Sequence, residues 1–222
     1  MLVLGFDSAG AGASTAVLRD GTIVATRAAA MERGQAEILM PMIAATLADA
    51  GAEATDLDLI GVATGPGSFT GLRISLAAAR GLALAADIPS IGISRFAAVA
   101  ARFPADRRGD RALLVALDTR RDDFFLQLFD RQPEEPFLAD AVTAARQTPR
   151  IPLLLAGDAA LRLAPALAGR DVVLAEEPDI PCAALVATLA AAEFRPGVAM
   201  PKPQPLYLRA PDTTLPRGTA RQ

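Results

Sequence analysis

Apolar and polar positions alternate first with the period of strands and then with the period of helices. Leu2 to Asp7, Ser14 to Arg19 and Thr22 to Ala28 are short apolar-rich runs separated by Gly10-Ala11-Gly12 and by Asp20-Gly21. An Asp-Gly pair between two such runs predicts a two-residue hairpin, so the opening reads as an antiparallel meander. From Gln35 to Ala50 the period changes: Leu39, Met42, Ile43 and Thr46 recur at i, i+3, i+4 and i+7, a face able to cover a sheet. Ile38, Met40, Ala44 and Leu47 lie on its shoulders and widen the apolar arc beyond one buried face. Pro41 falls inside this segment; a proline costs about 3 kcal/mol deep in a helix, so a kink or a helix start near Pro41 is expected.

Next come a strand at Leu57 to Ala63, a glycine-rich turn, a helix from Thr70 to about Ala86, a strand at Ser90 to Ile93 and a helix at Phe96 to Arg102. The order βββ-α-β-α-β-α is the half-molecule pattern of the actin, sugar-kinase and heat-shock-chaperone superfamily. Phe103 to Arg111, polar and interrupted by Pro104 and Gly109, reads as a linker. A second half follows, with strands at Ala112 to Leu117 and Phe124 to Asp130 around a tight Asp118 to Asp123 turn. Further strands are expected at Leu153 to Ala156 and Val172 to Leu174, and helices at Asp158 to Ala168 and Pro181 to Phe194. The predicted fold is α/β and two-lobed, with duplicated ribonuclease-H-like domains and a reduced second lobe. Residues 1–104 form the first lobe, 105–209 the second, and 210–222 a proline-containing tail expected to be extended or mobile.

The segment Gly65-Pro66-Gly67-Ser68-Phe69-Thr70-Gly71-Leu72-Arg73 joins a strand pattern to the long helix. Its glycines permit close backbone approach, and Ser68 or Thr70 can cap the helix start. Such a turn can cradle an anion or fix a helix for docking. It matches neither the P-loop, since no Lys-Ser or Lys-Thr follows the last glycine, nor G-x-G-x-x-G. In the helix beyond it, Ala77, Gly81 and Ala85 stand four apart and allow another helix to approach closely. That strip serves either packing within the chain or a partner.

Composition narrows the chemistry. Of 222 residues, 52% are apolar, ample for a core. There is one cysteine, Cys182, and no histidine, which excludes an internal disulfide framework, His-ligated metals and a His general base. The N-terminus begins with a strand-like run and carries no secretory pattern, and the apolar runs fall short of the ~20 residues a bilayer crossing needs, so a cytoplasmic protein is expected. The net charge of −3 argues against autonomous nucleic-acid binding.

The nine residues from Gly65 to Arg73 resemble the signature of the TsaB family. The likeness continues at Leu4 to Ser8, Glu37 to Ile43, Leu117 to Asp122 and Pro205 to Arg209, and so spans nearly the whole chain. Family membership implies a non-catalytic, inactive homologue that pairs with the transferase TsaD and supports docking of the ATPase TsaE. Together they form threonylcarbamoyladenosine beside the anticodon of tRNAs. The chain would meet tRNA only through TsaD and have no membrane role, and when alone it could either form a homodimer or stay single. It would hold no cofactor by itself, with ATP or ADP and Mg entering only in the complex.

Asp7, Gly65, Gly67, Ser68 and Asp118 are the counterparts of superfamily phosphate loops, expected here as vestiges. Asp7 has no basic residue beside it in sequence, and a capping or turn role is the simpler reading. Asp118 shares its turn with Arg120, Arg121, Asp122 and Asp123, which ion pairing explains about as well as phosphate binding. Ala156-Gly157-Asp158 offers one glycine where the adenosine loop has two. Many relatives carry His-Ser-Glu where this chain has Gln35-Ala36-Glu37; the remaining Glu37 reads as a helix N-terminal carboxylate. The resemblance assigns the partner interface to Ile38, Met40, Met42, Arg73, Ala77, Ala78, Gly81 and Ala85. The rival reading is an enzyme of the same superfamily, an ATP-dependent small-molecule kinase or a glycoprotease-like hydrolase.

Overall fold

The computed structural model describes residues 1–176 and 182–209. β1 (Leu2–Asp7), β2 (Gly12–Arg19) and β3 (Thr22–Ala30) form the meander. They are followed by α1 (Gln35–Asp49), a 3-10 turn at Ala54–Asp56, β4 (Leu59–Ala63), α2 (Phe69–Ala86), β5 (Ser90–Ile93), α3 (Arg95–Ala100) and the short α4 (Ala105–Arg108). The second half runs β6 (Ala112–Asp118), β7 (Asp123–Phe129), β8 (Phe137–Asp140), α5 (Ala141–Gln147), β9 (Leu153–Ala156), α6 (Ala160–Leu163), a 3-10 turn at Ala164–Leu167, β10 (Val172–Leu174) and α7 (Cys182–Glu193).

Each half builds one five-stranded sheet, in the order β3-β2-β1-β4-β5 and, repeated, β8-β7-β6-β9-β10. The first three strands of each half pair antiparallel and the remaining two join parallel to the first of them. Asp20 and Gly21 both take positive φ, 49° and 81°, as a hairpin turn between right-twisted strands demands.

Side chains alternate across the first sheet. Leu2, Leu4, Phe6, Ile60 and Val62 pack with Leu39, Ile43, Leu72 and Leu76 from α1 and α2. Val3, Leu59, Ala63 and Ile91 point to the other face, where Val186, Ala187 and Ala190 of α7 cover them. Contact on that side is close: a Cβ on Gly5 would lie 2.4 Å from the Ala183 carbonyl oxygen, and one on Gly61 2.8 Å from the Ala190 Cβ. In the second sheet Leu114, Ala116, Leu126 and Leu155 face α5 and α6, while Leu113, Val115, Leu117 and Phe125 face Phe96 and Val99 of α3 together with Leu206 and Leu208. α3 is thus wedged between the lobes.

Four expectations change. α7 does not stay in the second lobe: it returns to β1, β2 and β4, so the boundary drawn at 105–209 fails for Cys182–Glu193. Its sequence is apolar on every side, and only the first sheet offers a second uncovered face. α1 runs unbroken from Gln35 through Pro41, because Pro41 and Glu37 are exposed and the carbonyl that loses its partner is open to water. The single helix expected over Asp158 to Ala168 is split, with Pro165 lacking the N–H that would continue it. β8 and α5 were not signalled; β8 is a four-residue edge strand, and Asp140 caps α5 through the Thr143 amide at 2.7 Å. Pro181 and the tail 210–222 lie outside the described residues. α2 is long and apolar enough to cross a membrane by length and composition, yet it packs its inner face on β4 and keeps Arg73 and Arg80 outward.

Candidate functional site: a sealed interlobe cleft and an open helical face

At the glycine-rich turn the chain meets itself. A Cβ on Gly67 would fall 2.2 Å from the Ala9 carbonyl oxygen, and one on Gly71 1.9 Å from that of Ser8. The Ser68 amide donates to Ala9 O at 2.8 Å, and the Ser8 hydroxyl donates to Gly71 O at 2.7 Å. The Ser8 amide donates to Ser75 Oγ at 3.0 Å. Ser68 caps α2, its hydroxyl oxygen accepting from the Gly71 amide at 3.3 Å. Gly65, with φ of 93°, and Pro66 turn the chain into this contact. The amides of Ser68 and Gly71 are therefore spent on the loop after β1 and on the cap, not offered to an outside anion.

Asp7 ends β1 on the α7 side of the sheet and is 4% exposed. Its Oδ1 accepts from the Ala9 amide at 2.8 Å, and its Oδ2 lies 3.3 Å from Nε of Arg95. Sequence reading missed this buried cation, which α3 brings in from far along the chain. Arg95 also donates to Pro66 O at 3.1 Å and to Asp158 Oδ2 at 3.3 Å. Burial alone would lower its pKa; Asp7 and then Asp158 outweigh burial and hold the guanidinium above its ordinary value. The same enclosure, helped by Asp7, pushes the Cys182 thiol well up, so it stays protonated. The one available signal for Arg95 was an arginine set between Ile91-Gly92-Ile93 and Phe96-Ala97-Ala98, where only apolar residues fit a core.

Asp118, the expected counterpart of Asp7, sits on the other face of its sheet. Its Oδ1 accepts from the Arg120 amide at 3.0 Å and from Arg162 of α6 at 2.8 Å. Its own amide donates to Asp158 Oδ1 at 2.7 Å. Asp118 thus lines the interlobe cleft while Asp7 is buried beside Arg95, and each already holds an arginine.

The cleft between the lobes is small, about 180 Å³. Arg120 crosses it to donate to Gly10 O at 3.1 Å and Glu32 O at 3.4 Å. Residues 203–209 cross it as well. The Leu206 amide donates to Thr64 O at 2.8 Å, and Arg80 donates to Pro203 O at 3.1 Å. Arg209 pairs with Asp123 of the second lobe. Burial opposes ionisation of Asp123, but hydrogen bonds from Arg209 and Thr119 prevail and hold its carboxyl below the usual range. With the first loop filled by Arg95 and the α2 turn closed on Ser8 and Ala9, these residues do not fit a magnesium nucleotide.

The outer face of α1 and α2 is different in kind. Met40 is 45% exposed and Leu84 85%, with Ile38 exposed beside them. Ala77, Gly81 and Ala85 are exposed too, and a Cβ on Gly81 would meet nothing within 4 Å. Among the described residues no helix uses the small-residue strip, since α7 lies on the opposite side of the sheet. Two assigned interface residues move: Met42 is buried in the core under α1, and Ala78 is half-buried against the same core. Each sits on the sheet-facing side of its helix. Arg73 lies over the Phe69 ring at 3.9 Å, with its Nε donating to Tyr207 Oη at 3.4 Å. Glu37 is exposed in the first turn of α1.

Comparison with known proteins agrees with this architecture. Residues 23–148, more than half of the chain, match the family model described as TsaD: tRNA N6-adenosine threonylcarbamoyltransferase. The chain is 33% identical over 131 residues to the tRNA threonylcarbamoyladenosine biosynthesis protein TsaB of Escherichia coli (strain K12), a match spanning 59% of this chain and 56% of that protein. It is 32% identical over 214 residues to an uncharacterized protein of Mycobacterium tuberculosis (strain H37Rv), covering 95% and 92% of the two chains. Among solved structures, YeaZ from Pseudomonas aeruginosa aligns with a TM-score of 0.75 at 25% identity, over 93% of this chain and 99% of that one. A ROK hexokinase from Thermus thermophilus shares the fold alone, with a TM-score of 0.51 at 14% identity over 87% and 99%. By sequence along most of its length and by its two-lobed actin-like fold, the chain belongs to the TsaB/YeaZ family.

Proposed function

We propose that this protein is a non-catalytic subunit in the formation of threonylcarbamoyladenosine in tRNA, docking on the transferase TsaD through the outer face of α1 and α2. The observation that carries this reading is the contrast between the two candidate sites. The cleft where this superfamily binds nucleotide is occupied by Arg95 and crossed by Arg120 and residues 203–209, while Met40, Leu84 and the Ala77-Gly81-Ala85 strip stand uncovered. An exposed apolar strip of small residues suits close approach by a helix of a partner.

Docking would act thermodynamically, by favouring whichever state of the transferase this surface fits better. The interlobe cleft by itself would bind neither nucleotide nor metal, and TsaE would join the pair afterwards. Cytoplasmic residence follows from that role, and tRNA would be met through TsaD. In the rival reading as a kinase, Asp7 would have to exchange Arg95 for a metal.

Size-exclusion chromatography of this protein mixed with TsaD from the same organism tests the proposal. A heterodimer is expected with wild-type chain and with Asp7→Asn, and none with Gly81→Leu, whose isolated fold should be intact because its new side chain points into open space. ATP hydrolysis by the isolated chain, lost in Asp7→Asn, would sink the proposal, as would unimpaired pairing by Gly81→Leu.

A further inference from the structure

We propose that the second lobe carries a binding site for a phosphate-bearing ligand in the groove between α5 and the 3-10 turn at Ala164–Leu167. The groove is shallow and open to solvent, with a volume of about 650 Å³ against about 180 Å³ in the narrower interlobe cleft. Arg146, Thr148, Arg150 and Arg170 line it over a floor of Val142 and alanines, and no carboxylate is among its lining residues. A cluster of three arginines without a counter-charge is unusual in a chain of net charge −3.

Three other arginines of this lobe are ion-paired. Arg111 pairs with Asp171 at 2.7 Å, Arg162 with Asp118 at 2.8 Å, and Arg209 with Asp123. Arg146 and Arg150 are exposed and make no hydrogen bond or ion pair among the described residues. Arg146 feels the field of Asp140, but that carboxylate is engaged with the Thr143 amide at the opposite end of α5.

Arg170 has a different part. It donates to Thr148 O at 2.9 Å and to Ala145 O, satisfying carbonyls at the C-terminal end of α5 that would otherwise repel an anion. Thr148 supplies an independent sign of a ligand: it is 4% exposed, yet its Oγ1 has no hydrogen-bond partner among the described residues. A buried hydroxyl without a partner destabilises a fold unless something else is gained. Val142 is 61% exposed beside these groups and gives an apolar surface for a sugar or base. Cationic rim, spare hydroxyl donor and apolar floor together fit a phosphate ester better than a simple carboxylate.

The phosphate could be carried by a free nucleotide or by an RNA strand, and the experiment separates them. Amide shifts of the full-length protein would be followed by NMR during titration with inorganic phosphate, AMP and a single-stranded RNA oligonucleotide at low salt. Shifts are expected at residues 142–150 with AMP or RNA, weaker with phosphate, and affinity at least tenfold lower in Arg146→Glu/Arg150→Glu. Because both arginines are exposed, the double variant should keep its circular dichroism and Tm. If RNA is the source, it binds more tightly than AMP and the double variant lowers the salt slope by about 1.4. Thr148→Val is expected to raise Tm while weakening binding severalfold. No shift with any of the three probes, or equal affinity in the double variant, would overturn the site; a Thr148→Val protein that loses Tm and binds normally would overturn the part given to the hydroxyl.

Discussion

The two lobes repeat one strand order and spend it differently. Between β3 and β4, and between β4 and β5, the first lobe inserts helices of 15 and 18 residues; the corresponding insertions of the second lobe are a 7-residue helix and a 4-residue helix with a 3-10 turn. The long pair has more surface than its sheet can cover, and the surplus is the exposed face of α1 and α2. The second lobe has the opposite shortage, so α3 and residues 206–208 must cover the inner face of its sheet. Duplication therefore supplied two cores, while unequal helices left one lobe with an exposed helical face and the other dependent on residues 206–208.

The lobes also handle charge differently, and that gives the largest expected effect. Arg95 and Asp7 are buried, whereas the side chains of Arg162 and Asp118 are each 42% exposed. Arg95→Met should cost about 3–5 kcal/mol, because it strands the Asp7 carboxylate in the core, and Asp7→Asn in the same chain should recover part of the loss. Arg162→Ala should cost about 0–1 kcal/mol. Urea unfolding of the variants measures both, and equal losses would break the contrast.

Glycine contacts test where the lobes agree. A Cβ at Gly157 would lie 2.2 Å from Ala116 O, as one at Gly71 would lie 1.9 Å from Ser8 O. Gly71→Ala and Gly157→Ala should each cost about 1–3 kcal/mol from overpacking, with added backbone strain at Gly157, whose φ is 103°. A neutral result at Gly71 would mean that the α2 turn can lift from the loop after β1.

On the face proposed to dock, Leu84→Glu should leave the isolated chain within about 0.5 kcal/mol of wild type, since Leu84 is 85% exposed, while weakening heterodimer formation with TsaD. Calorimetry and sizing-column mixing read the two effects separately.

The smallest effect belongs to the strap between lobes. Asp123 has a lowered pKa when folded, so its pairing with Arg209 stabilises above the unfolded carboxyl value of 3.8 and is lost as pH falls through the lower folded value. Arg209→Ala should therefore have a slightly lower Tm than wild type near pH 7, with the gap closing below pH 3.8. A gap that persists in acid would assign the effect to packing of Leu206 and Leu208 instead.

Much of the first lobe was legible. The Asp20-Gly21 hairpin, the Leu39-Met42-Ile43-Thr46 face and the Ser90 to Ile93 strand follow from local pattern, and the structure repeats them. β8 and the split of α6 were not, since a four-residue edge strand and a half-turn carry no period. At the site, the family signature located the right turn but not its purpose. Gly67 and Gly71 are there to admit the carbonyls of Ala9 and Ser8, a contact between segments that neither segment announces.

By itself the sequence determined the order of elements in the first lobe, the repeated strand-Asp-turn-strand opening, the absence of histidine chemistry and the small-faced helix, because each is written in neighbouring residues. Only the tertiary structure decided that Arg95 meets Asp7, that Arg120 reaches Gly10 across the cleft, and that α7 crosses back to the first sheet. Those outcomes depend on which surfaces remain uncovered once both sheets have formed, and burial of apolar area has no address along the chain.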